Sequence, residues 1–105
     1  MRTQKFRAVA WRGGSYGLKI SACDRDTYLV REWGSVFLSL PGCREPVEVN
    51  IDKPSMREST CRELISARIG DWLKCEGRLP WPKGHPPRVS IEPVGERLFR
   101  VSLCE

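Results

Sequence analysis

Residues 55–77 read SMRESTCRELISARIGDWLKCEG, and how this stretch folds decides the architecture expected for the rest of the chain. On a helical wheel Cys61, Leu64, Ile65, Ile69, Trp72, Leu73 and Cys75 share one side, while Glu63, Ser66, Gly70 and Lys74 fall opposite. This is the period of an amphipathic helix. Ser55 with Glu58 and Thr60 with Glu63 compete as starts, because a hydroxyl followed three residues later by a carboxylate satisfies the first free backbone N–H groups. The later start fits the apolar stripe better. Gly77 supplies the stop, since the residue after a helix often adopts a left-handed conformation that glycine takes cheaply. Arg68 falls inside the apolar arc, where it either snorkels to the edge and meets Asp71 or holds a ligand.

Outward from this helix, period-two alternation predicts strands. Tyr16, Leu18 and Ile20 alternate with Gly17, Lys19 and Ser21, and the runs at 36–40, ended by Pro41-Gly42, and at 47–51 form a hairpin with a loop through Cys43–Glu45. Val89–Ile91 and Leu98–Leu103 flank a turn at 93–96. Residues 1–14, basic and containing Phe6, Val9 and Trp11, are read as an arm or an edge strand ahead of a single domain at 15–105. Asp24-Arg25-Asp26-Thr27 is read as a self-neutralised turn beside Tyr28 and Trp33. The fold class expected is therefore α+β, a mostly antiparallel five- to six-stranded sheet packed on one main helix in the order β-β-β-α-β-β. Such an open sheet leaves edges able to pair, so a homodimer is the expected assembly.

With 105 residues, 40% apolar and 30% charged, the chain can bury roughly 65% of its unfolded surface in one core. No apolar run reaches the ~18 residues of a membrane span and no secretory leader stands at the N-terminus, so a cytoplasmic location without membrane contact is expected. The formal charge of +5 is localised: Arg2, Lys5, Arg7, Arg12 and Lys19 carry it without an acid before Asp24, and thirteen bases then balance thirteen acids. A basic arm that touches nucleic acid is one reading; a solvated terminus is the other. Five cysteines lack the C-x₂-C spacing of a zinc site, and with His85 the sole histidine no metal or cofactor is assigned. Cys61 and Cys75 are expected to act as small buried hydrophobes.

The stretch from Leu79 to Pro87 has four prolines in nine residues and reads as a stiff surface loop. Trp81 sits between two of them, presented to a partner at low entropic cost or folded back over the helix end near Trp72. Lys83, His85 and Arg88 lie beside it and could meet a negative group. His85 has no acid within six residues on either side, so neither an orienting partner nor a nucleophile can be named and no catalytic residue is assigned. Trp33, in the charged stretch, and Arg68 complete the set of candidate binding residues.

Asp24-Arg25-Asp26-x-Tyr28, Arg31-Glu32-Trp33, Val49-Asn50-Ile51 and Pro80-Trp81-Pro82-Lys83-Gly84-x-Pro86-Pro87 resemble small bacterial single-domain proteins carried on mobile elements, including integron gene cassettes, over about Tyr16 to Leu103. The resemblance implies a bacterial cytoplasmic domain and transfers no activity and no functional residue. The expected function is a non-enzymatic binding domain whose partner is another protein or a second copy. Nucleic-acid binding through the basic arm and a small enzyme built on His85 are the alternatives.

Overall fold

The fold is that of a computed structural model, which describes residues 5–52 and 63–104. In chain order the elements are β1 (Phe6–Arg12), β2 (Tyr16–Lys19), α1 (Ala22–Tyr28), a 3-10 turn at Arg31–Trp33, β3 (Ser35–Ser39), β4 (Val47–Asn50), β5 (Glu63–Ile65), α2 (Ala67–Cys75), β6 (Arg88–Gly95) and β7 (Leu98–Leu103). The seven strands make one sheet in the order β4-β3-β7-β6-β1-β2-β5. Every neighbouring pair is antiparallel except β3 and β7, which run parallel with Leu38 opposite Phe99. The outermost strands β4 and β5 come into contact with each other, so the sheet curls into a nearly closed barrel.

Alternation along each strand fills this barrel. Phe6, Ala8 and Ala10 of β1, Leu18 of β2, Val36 and Leu38 of β3, Val47 and Val49 of β4, Val89 and Ile91 of β6, and Phe99 and Val101 of β7 are all buried. Tyr28 at the end of α1 stacks on Phe6 with ring centroids 4.4 Å apart, which docks the first helix on the core. From α2, Ile69, Trp72 and Leu73 complete the interior.

The α+β expectation of five or six strands on one main helix is thus corrected, among the described residues, to a mixed seven-stranded, nearly closed barrel with two short helices. The reason lies in the opening stretch. Glu63–Ile65 is a strand paired with β2, Leu64 opposite Leu18, and only Ala67–Cys75 is helical. Leu64 is buried, and a buried leucine in a three-residue strand satisfies a helical wheel as well as one in a helix. Gly17 makes the pairing available: a Cβ there would stand 2.6 Å from the Leu64 carbonyl oxygen. The helix is capped by neither expected residue. Ser66, in extended conformation, accepts a hydrogen bond at its Oγ from the Arg68 N–H at 3.2 Å. Ser55, Thr60 and Cys61 lie outside the described residues. Gly77 does end the helix, at φ 72°, with the Gly77 N–H on the Lys74 carbonyl and the Arg78 N–H on the Leu73 carbonyl.

Three further expectations change. The N-terminal segment is neither arm nor edge from Phe6 onward, because β1 is hydrogen-bonded to β6 on one side and β2 on the other. An open sheet with free edges, the premise for edge pairing between copies, gives way to a barrel whose β4 and β5 approach each other. Residues 22–28 are helix α1 rather than a turn, started by the Ser21 Oγ on the Asp24 N–H, and Cys75 is exposed rather than buried.

Candidate functional site

The placement of β1 inside the sheet brings charge to its outer face. Because Phe6, Ala8 and Ala10 point to the core, Arg7, Val9 and Trp11 point away from it. Val9 stands opposite Arg88 of β6 and opposite Lys19 of β2, so the two cations flank one apolar residue across three strands. Two strand spacings of ~4.8 Å separate them. Arg7 pairs in register with Ser90, next to this row.

The proline-rich loop folds against the same side. Its end is held by the Ala10 N–H, which donates to the Pro87 carbonyl at 2.8 Å, and a turn closed by the His85 N–H on the Pro82 carbonyl puts Gly84 at φ 82°. Trp81 is half-buried and meets Tyr16 edge to face, centroids 6.3 Å apart at 74°. Tyr16 in turn rests on Gly70 of α2, whose missing Cβ would lie 2.5 Å from the ring. Trp81 therefore folds back onto α2 through Tyr16, yet it still forms a wall of a groove of about 450 Å³ together with Arg12, Tyr16, Pro80 and Lys83.

Gly84 also borders a second hollow of about 700 Å³ that holds Arg7, Arg78, His85 and Arg88, and this one shares Arg7, Val9, Arg88 and Cys104 with a third of about 240 Å³ reaching Lys19. Six cations from two distant parts of the chain line these hollows, which join end to end as a strip: Arg7, Lys19, Arg78 and Arg88 about the outer face of β1, and, past Gly84 at the end of the β1–β2 hairpin, Arg12 and Lys83. Among the described residues no carboxylate lines any of the three hollows. Among the described residues Arg7, Arg12, Lys83 and Arg88 form no ion pair. Acids mark the borders: Glu63 opposes Lys19 on β5, and Glu92 on β6 pairs with Arg100 at 3.3 Å.

Of the candidate binding residues, Trp81, Lys83, His85 and Arg88 fall on this strip. Trp33 and Arg68 do not. Trp33 packs half-buried against the core after the 3-10 turn, and Arg68 lies exposed on α2, beside a separate groove of about 290 Å³ shared with Trp72, Asp71 and the β3–β4 loop. No ion pair joins Arg68 to Asp71 among the described residues. His85 shares its hollow with Cys104, and among the described residues no carboxylate lines it that could orient the imidazole. Arg7, Arg12, Lys19 and Arg78 were outside the candidate set; the acid-free N-terminal charge pointed to the first three, and nothing local in the sequence joined them to the loop.

Comparison with protein-family models, curated proteins and solved structures returned no match.

Proposed function

We propose that the protein is a non-enzymatic binding domain that holds an extended anionic partner along this strip. The observation that supports the reading is the convergence of Arg7, Arg12, Lys19, Lys83 and Arg88, drawn from residues 7–19 and 83–88, on three adjoining hollows that no carboxylate lines among the described residues. Like charges gathered this way repel one another, and a polyanion lying across them relieves the repulsion while releasing its own counterions. The placement of Arg7, Val9 and Arg88 on strands keeps the charges in register, so the surface is organised before binding. Shape adds to charge: the hollows run on from one another through Gly84 and Arg88, which suits a chain-like partner better than a compact ion.

Retention on immobilised heparin at low ionic strength tests this reading. The wild type is expected to elute late, and the double substitution Arg7→Gln, Arg88→Gln early, with unchanged far-UV circular dichroism. Equal elution of the two proteins would remove the strip as the binding surface. The resemblance to mobile-element proteins contributes no residue to this reading.

A further inference from the structure

We infer that the anionic partner is single-stranded nucleic acid, with an unpaired base seated in the groove between Trp81, Tyr16, Arg12 and Lys83; this rests on the polyanion reading above. The groove combines what a nucleotide offers in two parts. Trp81 and Tyr16 present aromatic surface, fixed by the flanking prolines and by the contact of Tyr16 with Gly70, and aromatic surface is the ligand for a base of any sequence. Arg12 and Lys83 in the same lining meet the phosphates on either side of that base. Beyond Gly84 the strip continues as cations without aromatic walls, Arg7 and Arg88 about Val9, which suits the backbone of the nucleotides that follow.

A sulfated or phosphorylated polymer without bases would use the cations and leave the aromatic end idle. A duplex keeps its bases stacked and paired, and it is most often read by a helix or ribbon entering the major groove. Among the described residues the strip is lined by β1, β2, β6, the loop before β6 and Cys104, and by neither helix. An anionic membrane would be met by a flat basic face, whereas the aromatic end of this strip is recessed.

The test uses the full chain, a fluorescein-labelled oligothymidylate of about ten nucleotides, within the range of site sizes for small single-strand binders, and competition by inorganic polyphosphate, a blunt DNA duplex and phosphatidylserine vesicles. Oligothymidylate is expected to bind most tightly and to quench tryptophan fluorescence. Trp81→Leu is expected to weaken it about 5- to 150-fold, with polyphosphate binding unchanged, and Trp81→Tyr to restore most of the loss. Arg7→Gln with Arg88→Gln should weaken both ligands and lower the salt slope for the oligonucleotide by about 1.4. If polyphosphate, duplex or vesicles bind at least as tightly as the oligonucleotide, or if Trp81→Leu weakens polyphosphate and oligonucleotide alike, the base-seating inference is overturned and the polyanion reading survives. If none of these ligands binds at low salt, the polyanion reading itself is lost.

Discussion

Gly70 shows how a single missing atom links the helix to the groove. Glycine within a helix costs ~1 kcal/mol relative to alanine, so Gly70→Ala should stabilise α2 taken alone. In the protein a Cβ would stand 2.5 Å from the Tyr16 ring, which also supports Trp81. Overpacking costs ~1–3 kcal/mol, and the net expectation is destabilisation by about 1 kcal/mol with a changed tryptophan emission, read by urea denaturation and fluorescence. Trp72 makes the complementary case. It is 3% exposed and its indole Nε1 has no acceptor among the described residues, so there the side chain stabilises by volume and not by its polar atom. Trp72→Ala should cost ~3–5 kcal/mol. Trp72→Phe should cost less than half as much, because it removes the unpaired N–H, itself a penalty of ~1–3 kcal/mol, along with the lost volume. Thermal melts of the two variants compare them directly. At the single parallel joint, Arg97 holds φ 64° and donates from its guanidinium to the Ser35 carbonyl at 3.2 Å and the Ser35 Oγ at 2.9 Å, while lying over Phe37. The contacts tie the turn before β7 to β3, and Arg97→Ala gives them up while keeping the strained backbone.

Among the elements, β1 and β5 carry the least obvious roles. β1 lies inside the sheet, between β6 and β2, and deletion of residues 1–12 therefore removes a strand hydrogen-bonded on both sides. The expected outcome is loss of cooperative unfolding by circular dichroism, which makes point substitutions, not truncation, the means to isolate the N-terminal charges. β5 depends on Gly17. Gly17→Ala would push a methyl group against the backbone of Leu64 and should open the β2–β5 pairing, seen as faster amide exchange at Leu18 and Leu64. That joint was invisible in a helical wheel because three residues are too few for period 2 and period 3.6 to diverge. By contrast the hairpin of β3 and β4, with Val36 opposite Val49, was legible from alternation and turn residues, as was the end of α2 at Gly77.

For the whole molecule, the decisive feature is where the charge ends up. The five basic residues that precede Asp24 already account for the net +5, and from sequence they read as a local property of one end. Antiparallel pairing of β1 with β6 carries Arg7 to the level of Ser90 and Val9 to that of Arg88, beside a loop nearly eighty residues away that adds Lys83 and Arg78. Among the described residues no helix is long and apolar enough to cross a membrane. Surface attraction of this kind weakens with ionic strength, so raising salt from 50 to 200 mM should weaken polyanion binding steeply, in proportion to the number of cations engaged.

The amino-acid sequence by itself determined most strands, the hairpin of residues 35–50, the stop at Gly77 and the location of the excess charge, because alternation, turn residues and charge are properties of neighbours along the chain. Only the tertiary structure decided that Glu63–Ile65 is a strand, that β1 is an interior strand, that the sheet curls until β4 meets β5, that Arg12 shares a groove with Trp81 and Lys83, and that Arg7 shares one with Arg88. Each of these depends on hydrogen bonds and packing between segments far apart in sequence, and a local pattern holds no record of which distant strand it will pair with.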